Sequence, residues 1–155
     1  MSGKKIAIVT GASSGMGREM VYLLADHFAA LEEIWVIARR KDRLEELVGK
    51  VPVSLRILPF DLSDEEDLCM LSGLLKQEQP NVKILVNGAG YGKTGAAGTI
   101  PGSLSTGMVR LNDEALVAVT EMVLPYISGN SRIIQFASAA AFMPQPGFAV
   151  YASSK

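Results

Sequence analysis

The stretch IVTGASSGMG, residues 8–17, decides the fold class. It joins a run of β-branched residues to the start of a helical pattern, and the junction holds Gly11, Gly15 and Gly17. Glycines at such a junction permit a tight turn, let backbone approach a phosphate, and let the helix pack closely on the strand. The N-terminus of the helix also offers N–H groups and partial positive charge to an anion. The segment predicts a phosphate-binding loop, with an ordinary glycine turn as the alternative.

The same order of strand and helix continues along the chain. Five apolar runs are predicted strands: KIAIVT (5–10), EIWVIA (33–38), SLRILPF (54–60), VKILVN (82–87) and RIIQFAS (132–138). Stretches of helical spacing separate them, which is typical of βαβ units around a parallel sheet. We predict the α/β fold class, a Rossmann-type doubly wound parallel sheet in one domain over residues 1–155. Since the order 3-2-1-4-5-6 needs a sixth strand, we expect a truncated form of a longer enzyme.

Three local features complete the predicted fold. Ser63 with Glu66 three residues later forms a capping box for the third helix. Residues 88–107 are glycine-rich and predict a long loop, which is commonly functional inside a compact domain. A helix over residues 108–127 follows, and a further helix begins near Tyr151.

Composition limits the partners. With 15 Lys and Arg against 16 Asp and Glu, the net charge is −1, so no basic surface for nucleic acid is expected. The apolar runs are far shorter than the roughly 20 residues of a membrane span. Cys69 is the single cysteine, and its apolar neighbours predict a buried thiol in a reducing compartment, the cytoplasm. No cluster has metal-ligand spacing, so no metal is predicted.

The glycine spacing identifies a family. The pattern is TGxxxGxG, and it differs from the GxGxxG of the general dinucleotide fingerprint. It resembles the short-chain dehydrogenase/reductase family, and the resemblance covers the chain from Lys5 to Lys155. It implies an oxidoreductase whose nicotinamide cofactor contacts the loop residues Gly11, Ser13, Ser14, Gly15, Met16 and Gly17.

The end of the second strand, IARRK, predicts which cofactor binds. NAD-binding folds usually place an acidic residue there to hold the ribose 2′-hydroxyl. Here Arg39 and Arg40 occupy the position, and no carboxylate occurs before Asp42. A guanidinium suits a 2′-phosphate, so NADP(H) is predicted over NAD(H). The alternative is a solvated basic start of a helix.

Two further segments match the family's cofactor contacts. An aspartate matching Asp61, followed by Leu62, meets the adenine ring in the family; capping of a turn is the alternative. The segment LVNGAG resembles the family's NNAG motif, and its matching residues are Asn87, Gly88, Ala89 and Gly90. Gly88 replaces the second asparagine of that motif, and Asn87 is expected to tie strands together.

A literal GxGxxG and a near P-loop also occur, in NGAGYGKTG. The glycines are Gly90, Gly92 and Gly95. Asn87 stands where the first P-loop glycine belongs, and GAAGTIPG follows where a helix should open. We therefore interpret this segment as a decoy, with a P-loop NTPase as the alternative.

The segment YASSK at the end of the sequence carries the predicted chemistry. Carbonyl reduction needs a proton donor beside the hydride of the cofactor, and residues four apart share one helix face. In the family, the tyrosine matching Tyr151 transfers the proton, and the lysine matching Lys155 holds the ribose of the cofactor. The serine matching Ser138 binds the substrate oxygen, and the asparagine matching Asn112 helps to seat a relay water. For Asn112 the alternative is a polar residue packed against a backbone carbonyl.

These predictions combine into an NADP(H)-dependent oxidoreductase that interconverts a small-molecule carbonyl and an alcohol. Two non-enzymatic alternatives keep the glycine loop: a redox-sensing regulatory protein and a non-catalytic NADP(H)-binding fragment. The resemblance also implies a homo-oligomer, formed through the helix at 108–127 and the helix that starts at Tyr151.

Overall fold

Five parallel strands form one sheet in the computed structural model, which describes residues 3–96, 98–143 and 145–155. The strands are β1 (Lys5–Thr10), β2 (Glu33–Ile37), β3 (Ser54–Leu58), β4 (Asn81–Asn87) and β5 (Ile127–Gln135). They lie in the order β3-β2-β1-β4-β5, and every pair is parallel. The predicted α/β class and Rossmann-type parallel sheet are confirmed. The strand order reverses beside β1, which is where such sheets bind ligands.

Helices cover both faces of the sheet. They are α1 (Gly15–His27), α2 (Lys41–Glu45), α3 (Glu65–Glu78), α4 (Gly102–Val109), α5 (Ala115–Val123) and α6 (Ala149–Ser153). A π-helical turn (Arg110–Glu114) joins α4 to α5, and 3-10 turns follow at Leu124–Tyr126 and Ala139–Ala141. Among the described residues, the helices are too short or too polar to cross a membrane.

A hydrophobic core lies on each face of the sheet. One face packs β1 and β2 against α5 through Ile8, Trp35 and Val119. The opposite face packs β1 against α1 through Val9 and Val21. Because β1 is buried on both faces, its carboxyl end is a fixed platform for the glycine loop that follows.

The cap of α3 differs from the prediction. Asp64, and not Ser63, accepts the backbone N–H groups of Glu66 at 2.8 Å and Asp67 at 3.3 Å. The reason lies one turn earlier, where the N–H of Ser63 donates to Asp61 Oδ1 at 3.0 Å. That bond holds Ser63 in the turn before the helix.

Cys69 is exposed on α3, so the prediction of a buried thiol is wrong. Leu71 and Leu75 are the buried residues of this helix. Cys69 precedes Leu71 by two positions, about 200° around an α-helix, and therefore faces solvent.

Two element boundaries also move. The helical stretch predicted at 108–127 begins at Gly102, because small residues follow Pro101 and give no apolar period to read. The fifth strand was predicted at 132–138; β5 instead begins at Ile127 and ends at Gln135. Ser138 consequently lies in a turn beyond the strand.

Candidate functional site

The glycine loop is fixed by contacts with the segment that follows β4. The buried hydroxyl of Thr10 accepts the N–H groups of Gly88 and Ala89, each at 3.0 Å. Gly11 has φ +70°, and a Cβ there would collide with the carbonyl oxygen of Gly88. A Cβ on Gly17 would collide with the carbonyl oxygen of Gly11. The loop therefore requires glycine at both positions for close packing.

Gly15 has a different part in the loop. Its φ is +55°, and an added Cβ would meet no protein atom within 4 Å. The residue makes the turn into α1 and leaves open space beside the helix N-terminus. Ser14 precedes the helix without capping it by its side chain. An anion can therefore approach the first N–H groups of α1.

A cavity of about 320 Å³ lies beside this loop at the carboxyl edge of the sheet. Most of the predicted cofactor residues line it, namely Gly11, Ser13, Ser14, Met16, Gly17, Arg39, Arg40, Asp61, Leu62, Gly88, Ala89 and Gly90. Its lining also includes residues that the sequence did not single out: Ile37, Ala38, Phe60, Leu111 and Phe136. Four predicted residues stand outside the described lining: Gly15, Asn87, Tyr151 and Lys155.

The two arginines at the end of β2 reach in different directions. Arg40 donates to the hydroxyls of Ser13 at 3.0 Å and Ser14 at 2.9 Å, so it is anchored on the glycine loop. Arg39 lies 3.8 Å from the carboxylate of Asp61, across the cavity at the end of β3. The Arg39 side chain is 66% exposed, so this ion pair contributes little to stability. Both guanidinium groups remain available to an anionic ligand.

Asp61 combines the two readings that the sequence allowed. Its Oδ1 accepts the N–H of Ser63, which is the turn-capping alternative. The residue also lines the cavity beside Arg39, where an adenine contact is predicted.

Asn87 ties a strand to a helix. Its Nδ2 donates to Thr120 Oγ1 at 2.9 Å, which joins the end of β4 to α5. The side chain therefore projects to the helical layer, whereas the tie between strands is made by the Asn87 backbone carbonyl, which accepts the N–H of Phe136 at 3.2 Å. As a predicted cofactor contact, it stands outside the cavity lining.

Asn112 lies buried in the π-helical turn, and hydrogen bonds of its side chain connect that turn to two other segments. Its Oδ1 accepts the N–H of Tyr91, and its Nδ2 donates to the Tyr91 carbonyl, both at 3.0 Å. The same Nδ2 donates to Ser154 Oγ at 2.8 Å. The alternative of packing against a backbone carbonyl is thus observed, while the relay role stays a prediction.

Ser154 is a residue that sequence reasoning missed. It is 2% exposed and, besides its bond from Asn112, its hydroxyl donates to the Tyr151 carbonyl at 2.9 Å. Ser154 thereby links the π-helical turn to the helix that carries Tyr151. The available signal was its position in YASSK, three residues after Tyr151 and therefore on the same side of one helical turn.

Tyr151 and Lys155 pack against glycines of the segment interpreted as a decoy. A Cβ on Gly92 would lie 2.8 Å from the Tyr151 ring, and one on Gly90 would lie 3.1 Å from Lys155 Nζ. Lys155 Nζ donates to the carbonyl of Phe136 at 3.2 Å. These glycines therefore provide room for the predicted catalytic side chains, and the next helix opens only at Gly102.

Ser138 is less closely integrated. Its hydroxyl accepts the N–H of Ala140 at 3.2 Å and so caps the 3-10 turn at Ala139–Ala141. In the described part of the chain, the hydrogen bonds of Ser138 do not reach Tyr151 or Lys155. The structure thus brings Asn112, Tyr151 and Lys155 together, and it places Ser138 at the start of a 3-10 turn that packs against the helix of Tyr151.

Comparison with known proteins gives a match over nearly the whole chain. Residues 5–155 match the model of the short chain dehydrogenase family. An uncharacterized oxidoreductase of Bacillus subtilis, YusZ, is 31% identical over 159 residues, an alignment that covers 98% of this chain and 55% of YusZ.

Solved structures give the same picture. A short-chain dehydrogenase from Sphingobium yanoikuyae in complex with NADPH superposes with a TM-score of 0.87 and 27% identity, covering 97% of this chain and 60% of that one. The closed form of a serine dehydrogenase complexed with NADP+ gives a TM-score of 0.85 and 28% identity, with coverage of 97% and 60%. The chain thus spans little more than half the length of these relatives.

Proposed function

This chain belongs to the short-chain dehydrogenase family, and from that premise we propose that it binds NADP(H) and interconverts a small carbonyl compound and its alcohol in the cytoplasm. The observation that carries the proposal is the cavity at the carboxyl edge of the sheet, where the glycine loop and two arginines share one lining. Two similar solved structures are complexes with NADPH and NADP+, which supports a cofactor with a 2′-phosphate.

The residues present fit such a cofactor. The open space at Gly15 and the N-terminus of α1 suit a pyrophosphate. Arg40, anchored on the hydroxyls of Ser13 and Ser14, and Arg39 beside Asp61 suit the 2′-phosphate of the adenosine. The bound cofactor supplies the hydride.

The protein's part in the chemistry is to move a proton. In reduction, the Tyr151 hydroxyl gives its proton to the carbonyl oxygen; in alcohol oxidation the phenolate takes it back. Lys155, whose ammonium donates to the Phe136 carbonyl, holds the ribose of the bound cofactor. Ser138 donates to the substrate oxygen, and Asn112 holds α6 in place through Ser154.

Replacement of Tyr151 by phenylalanine tests the enzymatic role. We expect loss of NADPH oxidation by about 100-fold or more with a panel of ketones and aldehydes, since the proton donor is removed. NADPH affinity, measured by calorimetry, should stay within about twofold. Equal turnover in the two proteins contradicts the assignment of the proton donor.

Substitution of Arg39 by aspartate tests the cofactor preference. We expect NADPH affinity to fall roughly tenfold or more relative to NADH, because an attraction for the 2′-phosphate becomes a repulsion. The matched control is Lys41→Asp, which makes the same change of charge at a residue paired with Glu45. Equal effects of the two substitutions would mean that Arg39 does not meet the 2′-phosphate.

A second candidate function is nucleotide binding without turnover. It is favoured by the hydroxyl of Ser138, which accepts the N–H of Ala140 and so caps its own turn. NADPH binding by the wild-type chain, with no oxidation by any carbonyl in the panel, selects this candidate.

We also propose a homo-oligomer formed through the helical stretch at 102–123 and through α6. The stretch exposes Val109 at 44% and Val117 at 57%, which gives it an apolar outer surface. Sedimentation equilibrium of the wild type and of Val117→Lys tests this contact. A monomer at all concentrations contradicts it.

A further inference from the structure

The Phe136 ring lies in the space that a side chain at position 88 would enter. Gly88 stands where the related motif has a second asparagine, and a Cβ there would lie 3.1 and 3.2 Å from two carbons of the Phe136 ring. It would also lie 2.8 Å from the carbonyl oxygen of Thr10. The space left by the missing side chain at position 88 is thus filled by an aromatic ring from the residue that follows β5.

Phe136 is held on both sides by its backbone. Its N–H donates to the carbonyl of Asn87 at 3.2 Å, which extends the pairing of β4 and β5 by one residue. Its own carbonyl accepts from Lys155 Nζ at 3.2 Å. The ring packs on the core of the α1 face and lines the cavity beside Gly88. The backbone that carries the Phe136 ring is therefore fixed relative to Lys155, the predicted catalytic lysine.

The cavity has two chemically different ends. Arg39 and Asp61 follow β2 and β3, on one side of β1, and carry the charges. Gly88 and Phe136 follow β4 and β5, on the other side of β1, next to Lys155. Since hydride transfer has to occur near Tyr151 and Lys155, a dinucleotide spanning the cavity has its nicotinamide half at the Phe136 end.

We propose that Phe136 is a cofactor-positioning residue whose ring contacts the nicotinamide-ribose half of the bound dinucleotide. Gly88, which has no side chain, leaves the space that the Phe136 ring occupies. This inference rests on the proposed function. A flat apolar ring supports a heterocycle at low conformational cost, because it has few rotatable bonds.

Calorimetry with a whole and a partial ligand tests the proposal. For Phe136→Ala we expect NADPH to bind roughly tenfold more weakly, the size of one lost aromatic contact. Adenosine 2′,5′-bisphosphate lacks the nicotinamide half, and its affinity should change by less than about twofold. The control is Phe142→Ala, an aromatic that is 87% exposed and stands outside the cavity lining, which should leave both affinities unchanged.

The other outcomes separate this inference from the function on which it rests. If wild-type protein does not bind NADPH, both are overturned. If wild type binds but Phe136→Ala weakens both ligands equally, or neither, only the role of Phe136 is overturned. Should Phe136→Ala fail to fold, Phe136→Leu keeps the bulk of the side chain, and the same selective loss for NADPH over the bisphosphate decides the question.

Discussion

At the glycine loop the sheet is buried on both faces, whereas at the candidate catalytic end it meets solvent. One row of residues in register shows the gradient, running through Trp35, Ile8, Leu85 and Ile133. The first three are at most 1% exposed, and Ile133 on β5 is 38% exposed.

The two ends are consequently stabilised by different forces. Burial of apolar side chains fixes β1 and the glycine loop after it. At the other end, hydrogen bonds and side-chain packing join α6 to the rest of the chain. Those contacts include the bond from Asn112 to Ser154, the bond from Lys155 to Phe136, and the packing of Tyr151 on Gly92. Polar contacts therefore take a larger part in holding α6 than in holding β1.

The largest expected effect compares one substitution at two positions of the same row. Ile8→Ala should lower the free energy of unfolding by about 2–5 kcal/mol, because it opens a cavity in a fully buried site. Ile133→Ala should cost only about 1 kcal/mol, since part of that side chain is already in water. Urea titration of both variants measures the difference. Similar losses at the two positions would refute the contrast between centre and edge.

A smaller effect is expected from Asn112→Ala. The substitution removes the partner of the Tyr91 N–H and carbonyl and the bond to the Ser154 hydroxyl. The free energy of unfolding should therefore fall by about 1–3 kcal/mol. Hydrogen exchange should speed up most in α6, with β1 protected as before. Asn87→Ala is the control, because Asn87 is also a buried asparagine but bonds to α5. If hydrogen exchange in α6 speeds up as much in Asn87→Ala as in Asn112→Ala, the hydrogen bonds of Asn112 do not specifically hold α6.

The smallest effect concerns an exposed ion pair beside the glycine loop. Arg18 donates to Glu46 at 3.0 Å, and this hydrogen bond lowers the pKa of the Glu46 carboxyl. Because the pKa is lowered in the folded state, the ion pair stabilises the fold at pH values above the ordinary pKa near 4.5. This contribution is lost as the pH falls through the folded-state pKa. The denaturation midpoints of wild type and Glu46→Gln should differ slightly at pH 7 and converge in acid. A gap that widens in acid contradicts this sign.

Sequence alone could predict the parallel sheet and most of the cavity lining. The central strands β1 and β2 are nearly continuous apolar runs, and the glycine loop joins strand to helix at a readable spacing. The position of Asn87 against Thr120 could not be read, because it depends on a helix more than thirty residues away in the chain. Phe136 was missed for a similar reason, since its ring lines the cavity only through the pairing of β5 with β4 and the space at Gly88.

The central place of β1 has a consequence in time. This strand is the first in the chain, yet its second neighbour begins at Asn81, and the Thr10 hydroxyl bonds to residues 78 and 79 positions later. A ribosome adds about 5–20 residues per second, so several seconds separate the synthesis of β1 from that of β4. Until then one edge of β1 has no partner and the glycine loop lacks the backbone that shapes it. A nascent chain thus completes the contacts of the glycine loop only after Gly88 and Ala89 have been made.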